Sequence, residues 1–469
     1  MRGAERLRAL AAIVRRPVRD EARALLASNW ARLAEPMRVP RQMFGRQGNG
    51  CGATIGAMPR CDFACRGCYL NDGANRVPAE PVEAITAQLD ALRPLLGHAG
   101  NVQITDGEVT LRPVEELVAI LRHARSIGLI PMLMTHGDTF RRRPGLLERL
   151  MVEGGLEEVS IHVDTTQRGR LGDAYRRATR EEELEPLRDE FAAMVREARR
   201  STGRPLRPAT TMTVTADNLD GVPGVVRWLA RNADAFRMIS FQPIAQVGRT
   251  EAGLGGGVSV EALWAKVGEG LAAAGTPDAG ALLGRSAVWF GHAACNRMVN
   301  GVVATRRDGT SRYLPLRDDA DATDRRVVDG FLARFGGISF RLDGAAERRA
   351  RMLGVALAAP AFVFGSAAAW SRRWLRQLGD GAAWRGARRL AAGDVRVDPL
   401  TLVSHHFMSR EELETPAGRE RLDHCVFLVP VDGEMVSMCE VNATGVRERY
   451  YAQLARRGAR RQAAEGAGV

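Results

Sequence analysis

Three cysteines lie within eight residues, in the segment Cys61-Asp-Phe-Ala-Cys65-Arg-Gly-Cys68, and Tyr69 follows at once. Thiolates spaced four and then three residues apart in a loop can wrap one corner of a cubane iron–sulfur cluster. Such clusters normally take four cysteines. Three ligands leave one iron open, and an open metal position is where substrate chemistry happens. Zinc would want four ligands from paired Cys-x-x-Cys or Cys/His spacing, and no partner pair lies nearby. The remaining reading is three buried thiols acting as small hydrophobes.

The chain has seven cysteines, so four others remain: Cys51, Cys295, Cys425 and Cys439. Four is the ligand count of one further cluster, and an auxiliary [4Fe–4S] cluster is the expectation. Cys425 and Cys439 flank an apolar stretch that turns at Asp432-Gly433. A three-residue turn, Val431-Asp432-Gly433, would pair Pro430 with Glu434 and set Cys425 across from Cys439, with Cβ atoms roughly 5 Å apart. A two-residue turn would instead put the cysteines on opposite faces of the ribbon. Cys51 is expected to precede the first strand and Cys295 to lie beyond the last, so only folding could gather all four.

The elements that must position these thiols alternate in type. After basic, amphipathic helices in residues 1–50, candidate strands fall at Thr54–Met58, Asn101–Thr105, Ile130–Thr135, Glu158–Val163, Thr210–Thr215 and Met238–Gln242. Helical periodicity falls between them at Val82–Leu96, Val114–Ser126, Leu146–Glu153, Glu181–Arg200 and Val222–Arg231. Alternation of this kind implies parallel βαβ units with right-handed crossovers. Six units are too few for a closed eight-unit barrel. The predicted fold is α/β, a partial (β/α)6 barrel over residues 51–250. Its site should lie at the carboxyl ends of the strands, where the cysteine loop falls. Gly253, Gly255, Gly256 and Gly257 mark a linker into an accessory region, 251–345, which holds Cys295. An apolar, Arg- and Trp-bearing segment (346–395) and a C-terminal hairpin region with a basic tail (396–469) complete the chain.

The Cys-x-x-x-Cys-x-x-Cys loop after the first strand resembles the signature of the radical S-adenosylmethionine (SAM) superfamily, and the resemblance covers about residues 51–250. It implies a [4Fe–4S] cluster on Cys61, Cys65 and Cys68, with SAM chelating the open iron through its amino and carboxylate groups. In this family an electron passed from the reduced cluster to the sulfonium releases methionine and a 5′-deoxyadenosyl radical, which takes hydrogen from the substrate. The cofactor carries that chemistry; the protein positions it. Where the second strand ends, Thr105-Asp106-Gly107-Glu108 stands in the place of a Gly-Gly-Glu-type motif that binds the SAM amino group. A glycine permits close backbone approach, and a carboxylate pairs with an ammonium. Two departures stand out: Asp106 replaces the first glycine, and Gly67 replaces the usual aromatic before the third cysteine, with Tyr69 able to serve as the packing group. The same resemblance makes Thr135, His162, Asp164, Gln242 and Arg249, at or near later strand ends, candidate SAM contacts, with His136 beside Thr135. No catalytic side chain is singled out.

Of the 67 basic residues only Lys266 is a lysine, and against 55 acidic residues they leave a formal charge of +12. That balance favours an anionic partner. No recognisable nucleic-acid module accompanies it. Met352–Trp370 runs nineteen residues without a charge, between Arg348, Arg349 and Arg351 on one side and Arg372, Arg373 and Arg376 on the other. Trp370, Trp374 and Trp384 gather at its far end. Pro360 at its midpoint argues for a kinked helix that dips into one leaflet or roofs a greasy cavity, not a span. The plain alternative is a buried helix of an accessory domain. Ser404-His-His-Phe-Met408, the Cys425/Cys439 segment, Asn442 and Ser240–Pro243 are similar in layout to the tetraether lipid synthase and pterin-methylating group, which usually carries more cysteines. The expected substrate is therefore hydrophobic, a lipid or isoprenoid, undergoing C–C bond formation or methylation. Flavodoxin or ferredoxin would be the electron donor. The expected location is the cytoplasm, peripheral to the inner face of the membrane. Rival readings are a peptide-modifying maturase, a tRNA-modifying enzyme, and a non-catalytic iron–sulfur or zinc protein.

Overall fold

The computed structural model describes residues 3–250, 254 and 257–466, with side chains as far as residue 460. Of the predicted glycine linker, Gly253, Gly255 and Gly256 lie outside the described residues. Strands β1 (Cys51–Ala53), β2 (Gly100–Ile104), β3 (Leu129–Thr135), β4 (Glu158–His162), β5 (Ala209–Val214) and β6 (Met238–Pro243) pair in sequence order, all parallel. They are the predicted partial barrel. Later strands extend both edges: β7 (Asn296–Arg306), β8 (Ser311–Pro315), β9 (Val395–His405), β10 (Phe427–Val431) and β11 (Glu434–Ser437). The sheet order is β11-β10-β1-β2-β3-β4-β5-β6-β9-β7-β8. Because β9 runs parallel to β6 and β10 parallel to β1, the chain after residue 250 covers both open edges of the six-stranded unit.

Helices α1 (Gly3–Arg15) and α2 (Asp20–Arg32) precede the barrel. Each parallel strand is followed by one major helix: α3 (Val82–Leu96), α4 (Val114–Ser126), α5 (Leu146–Glu153), α6 (Glu185–Thr202), α7 (Val222–Arg231) and α8 (Val260–Ala273). The face α3 turns to the sheet shows how such a helix is specified. Ile85, Leu89, Leu92 and Leu96, spaced by four, three and four residues, are all buried, and each contributes about 1.5–3 kcal/mol of burial. The helix stops at Gly97, whose φ of +71° suits glycine. The charged helix expected from Glu181 begins with a short 3-10 turn, Glu181–Leu184, because Pro186 sits in the first turn of α6.

Two expectations are corrected. The first strand is Cys51–Ala53, not Thr54–Met58, so Cys51 opens β1 instead of preceding it. Thr54 makes one last ladder bond to Gln103, and Gly56, at φ +78°, turns the chain away before the apolar run ends. The C-terminal hairpin turns on two residues, not three: Val431 pairs with Glu434, with Asp432 (φ +50°) and Gly433 (φ +88°) between them. Two consecutive left-handed residues make the primed turn that matches strand twist, and Asp-Gly supplies them.

The apolar run is a bent pair, α9 (Ala345–Ala358) and α10 (Pro360–Leu378), which meet at 102°. Pro360 opens α10 at a position where no amide donor is missed. No single helix among the described residues is long and apolar enough to cross a membrane. The chain ends in α11 (Met438–Ala443) and α12 (Val446–Gly466).

Candidate active site

The cysteine loop leaves the carboxyl end of β1 and is sewn down on three sides. Ala64 N–H donates to Arg168 O and Arg66 N–H to Thr166 O, both at 2.9 Å, fixing the loop to the segment after β4. Gly107 N–H donates to Met58 O (2.8 Å) and Glu108 N–H to Arg60 O (2.9 Å), fixing its entry to the end of β2. On the third side Arg249 N–H donates to Cys68 O and Leu70 O, both at 3.0 Å, and its guanidinium reaches Phe63 O at 3.1 Å. Arg249 therefore clamps the loop backbone, and its Nε is buried without a partner.

Cys61, Cys65 and Cys68 are half-buried. Burial pushes the thiols of Cys61 and Cys65 up, the latter to about 12, with Cys65 and Cys68 adding to the shift of Cys61 and Cys68 to that of Cys65. Phe63 N–H already points at Cys61 Sγ, at 3.4 Å. Buried thiols that resist ionisation, as those of Cys61 and Cys65 do, are what a cationic metal centre relieves, since its charge replaces their protons. The donor set fits an iron–sulfur cluster with one open corner.

Between the cysteines, Phe63 stacks on His136, with ring centroids 3.8 Å apart and planes 4° from parallel. Arg170 lies over its ring at 5.1 Å. The buried Arg170 donates to His136 O and Gln167 Oε1, both at 2.5 Å, and to His162 O, so it ties the ends of β3 and β4 to the loop. Asp62 accepts from His136 Nε2 (2.8 Å) and Arg142 (2.5 Å). Burial opposes its ionisation, but these two partners hold it at about 2. Cys61, Asp62 and His136 offer ligand atoms within 4.8 Å of one another. A mononuclear metal there would have to take Asp62 from Arg142 and would leave Cys65 and Cys68 unused.

The two departures from the superfamily pattern have structural causes. A Cβ at Gly67 would overlap the Ile244 side chain, which fills the space a neighbouring aromatic would need. Tyr69 is the aromatic that packs: its hydroxyl donates to Asp106 O and lies 3.4 Å from Thr105 Oγ1. Asp106 is buried and bonded on both oxygens, to Gly56 N–H, the Arg447 guanidinium and the Tyr451 hydroxyl.

Among the other predicted contacts, Glu108 is buried and accepts from Thr135 Oγ1 (2.7 Å), His136 N–H (2.8 Å) and Thr110. His162 Nε2 meets Asp164 Oδ2 at 2.6 Å and Thr213 Oγ1 at 3.2 Å. Asp164 is held at about 2: burial works against the charge, while His162, Thr166 and Thr213 N–H outweigh it. Gln242, on β6, is paired with Thr213 of β5, next to that group. Glu108, Thr135, His162, Asp164 and Gln242 thus come from neighbouring strand ends, beside the loop.

The four remaining cysteines separate. Burial raises Cys425 to about 11 and Cys439 to about 12, with nearby Cys295 adding to both and Cys425 adding to the shift of Cys439. Arg421 Nε approaches Cys295 Sγ and Met408 N–H approaches Cys439 Sγ, each at 3.4 Å. His406, whose amide donates to Cys295 O, has its Nε2 buried without a partner. Cys51 faces β2 instead, with Sγ 3.8 Å from Asn101 Oδ1 and 3.9 Å from Gln103 Nε2, and its charged neighbour is Glu158. A cavity of about 520 Å³ lies elsewhere, lined by Met37, Trp289 and Arg317 among others. The residues that sequence spacing did not single out are Asp62, Phe63, Arg170 and Arg447. Arg447 sits 341 positions from its partner Asp106, and nothing local marks it.

A parallel partial barrel with a three-thiol loop after its first strand is an enzyme-type α/β fold whose strand ends carry thiols that fit a metal centre. The chain carries a radical SAM domain: residues 55–225 match the radical SAM superfamily. A 7,8-dihydro-6-hydroxymethylpterin dimethyltransferase of Methanocaldococcus jannaschii is 24% identical over 200 residues, which cover 42% of this chain and 37% of that protein. The match therefore spans little more than a third of the relative. Among solved structures, SuiB of Streptococcus suis bound to its precursor peptide SuiA has a TM-score of 0.33 and 14% identity, covering 45% of this chain and 43% of that one. SuiB bound to S-adenosylmethionine gives 0.33 and 14%, over 46% and 45%. At these values the structural likeness carries no inference.

Proposed function

We propose that the protein is a radical SAM enzyme acting on a hydrophobic substrate, a lipid or isoprenoid, drawn from an anionic membrane surface, with C–C bond formation or methylation as the outcome. The observation that carries the substrate class is the bent pair α9–α10. It leaves Met352, Leu353, Leu357 and Phe364 between 52% and 66% exposed. Arg348, Arg349, Arg372 and Arg376 are exposed along the same two helices. The other two flanking arginines are internal: Arg351 forms a two-pronged pair with Asp343, and Arg373 pairs with Asp321 and Asp324. Large exposed apolar side chains rimmed by cations suit the interface of an anionic bilayer. Leu7 on α1 is also 69% exposed, and α1 packs on α9, where Gly354 meets the carbonyls of Ile13 and Val14.

In this reading Cys61, Cys65 and Cys68 hold the [4Fe–4S] cluster, which supplies reductive cleavage of bound SAM. The rest is the work of the chain. Glu108 offers a carboxylate for the SAM ammonium, Gly107 lets that turn approach, and the His162–Asp164 pair offers a donor and an acceptor for ribose or methionine groups. Phe63, His136 and Arg170 keep the loop rigid and shield it from water. Cys295, Cys425 and Cys439 support an auxiliary [4Fe–4S] cluster, with His406 beside them in place of Cys51. A flavodoxin or ferredoxin would deliver the electron.

The substrate class is tested by deuterium transfer. The loaded, reduced protein is given SAM and a perdeuterated lipid extract, and the 5′-deoxyadenosine is weighed by mass spectrometry. Deuterium in that product supports the reading. Unlabelled product with lipid, but label acquired from a deuterated pterin or peptide, would overturn it.

A further inference from the structure

Asp106 stands where the superfamily pattern has glycine, and its side chain is fully buried. A buried carboxylate beside a cofactor site is costly unless it is paired, and here it is paired at long range. Arg447, in the first turn of α12, donates Nη1 to Asp106 Oδ1, and Tyr451 one turn later donates to the same oxygen at 2.5 Å. Arg447 is itself only 2% exposed. Its other nitrogens bond Asn442 Oδ1, Nε at 3.1 Å and Nη2 at 2.9 Å. Asn442 lies on α11, the short helix that carries Cys439. Arg447 also covers the Tyr69 ring at 4.6 Å, and Tyr69 in turn bonds Asp106 O. Burial alone would discourage charge on Arg447, yet Tyr451, Asp106 and Tyr69 hold it protonated.

We propose that Arg447 is a positioning residue for SAM: acting through Asp106, it fixes the Asp106-Gly107-Glu108 turn and joins that turn to the helix bearing Cys439. The inference rests on the reading that this turn binds SAM. Gly107 and Glu108 are held by backbone bonds to Met58 and Arg60 and by the bonds of the Glu108 carboxylate to Thr110, Thr135 and His136, all within the barrel. Asp106 is the member of the turn that reaches outside it, to the C-terminal helix and, through Arg447 and Asn442, to α11. Where glycine would leave the turn held by its neighbours alone, the aspartate makes its position depend on the last helix of the chain. A change at the Cys439 site that moves α11 would reach the SAM site by this route, through contiguous bonded groups.

The test measures SAM binding to the cluster-loaded protein by calorimetry and by the change SAM makes to the electron paramagnetic resonance spectrum of the reduced cluster. Variants are Arg447→Met, the neutral pair Asp106→Asn with Arg447→Gln, and Tyr450→Phe. The last removes a buried bond of the same helix, to Glu80 at 2.8 Å, without touching Asp106. With Arg447→Met, the SAM Kd should rise roughly 3- to 30-fold at unchanged iron content. The neutral pair, which leaves no charge unpaired, should return within about threefold of wild type, and Tyr450→Phe should bind SAM as wild type does. If Arg447→Met does not fold, the neutral pair decides: a Kd within that range supports the proposal, and one as poor as that of a Glu108→Gln control overturns it. Unchanged SAM affinity in Arg447→Met overturns it too, as does an equal loss in Tyr450→Phe. A wild-type protein that loads iron but binds no SAM would instead remove the reading of the turn itself.

Discussion

Gly107→Ala tests the site geometry with one methyl group. An added Cβ would sit 2.5 Å from Pro59 O and 2.8 Å from Arg60 C, with Arg60 O closer still. All three are backbone atoms, so no side chain can swing aside. Relief requires the end of β2 to lift off the segment that leads into Cys61. Overpacking of this kind costs about 1–3 kcal/mol. The two amide bonds that would stretch, Gly107 to Met58 and Glu108 to Arg60, contribute roughly 1 kcal/mol each. Together that is about 3–5 kcal/mol, concentrated at the turn. If that turn binds SAM, the Kd should rise on the order of 100-fold or more at constant iron content, because every 1.4 kcal/mol is about tenfold. Calorimetric titration of the cluster-loaded protein reads it. Gly280→Ala is the control: its Cβ would meet nothing within 4 Å, and it should leave SAM binding as in wild type. Wild-type SAM affinity in Gly107→Ala would refute the placement of SAM at this turn.

Other predictions follow from the same contacts. Iron should stand near eight per chain and fall towards four in Cys295→Ala, Cys425→Ala or Cys439→Ala, while Cys51→Ala keeps the full content; loss of iron in Cys51→Ala would return that thiol to the ligand set. Phe63→Ala, which removes the stack on His136 and the contact with Arg170, should cost about 3–5 kcal/mol, seen as a lower denaturant midpoint and faster loss of the cluster in air; an unchanged midpoint would count against the packing role. Burial lowers His98, His405 and His406 to about 4 each. The unfolded chain then binds more protons between pH 6.5 and 4, so stability should be full above that window and fall as pH drops through it. Urea midpoints from pH 7 to 4.5 read the slope, and a flat or rising profile on acidification would contradict it. Leu357→Asp and Phe364→Asp should each weaken partition onto anionic vesicles by about tenfold or more; equal sedimentation of the variants and wild type would remove the bilayer reading.

Much of the barrel was legible because its signals are local. The helix faces of α3, α4, α5 and α7 follow a 3.6-residue period, and the buried parallel strands read as continuous apolar runs. The cysteine loop was legible because its three thiols are close in sequence. Failures came where distant chain decides. Thr54–Met58 has strand composition, but Gly56 breaks it, and β1 is completed by pairing with β10, some 375 residues later. The hairpin register turned on whether Asp432 would accept a left-handed conformation, which Asp tolerates and a pattern of apolar residues does not reveal. The pairing of Asp106 with Arg447 on the last helix, and the bonds of Arg249 to the loop backbone at Phe63, Cys68 and Leu70, likewise join distant parts of the chain and have no local sequence signal.

Everything proposed for this site depends on Cys61, Cys65 and Cys68 holding a cluster that cleaves SAM. The direct measurement is 5′-deoxyadenosine released from SAM by the anaerobically reconstituted, reduced protein, with iron counted in the same samples for wild type and Cys65→Ala. Wild type should release product, and Cys65→Ala should release none and hold about four fewer irons. A fully loaded, reduced wild-type protein that releases no 5′-deoxyadenosine, with lipid extract present, would contradict that assignment of the three cysteines.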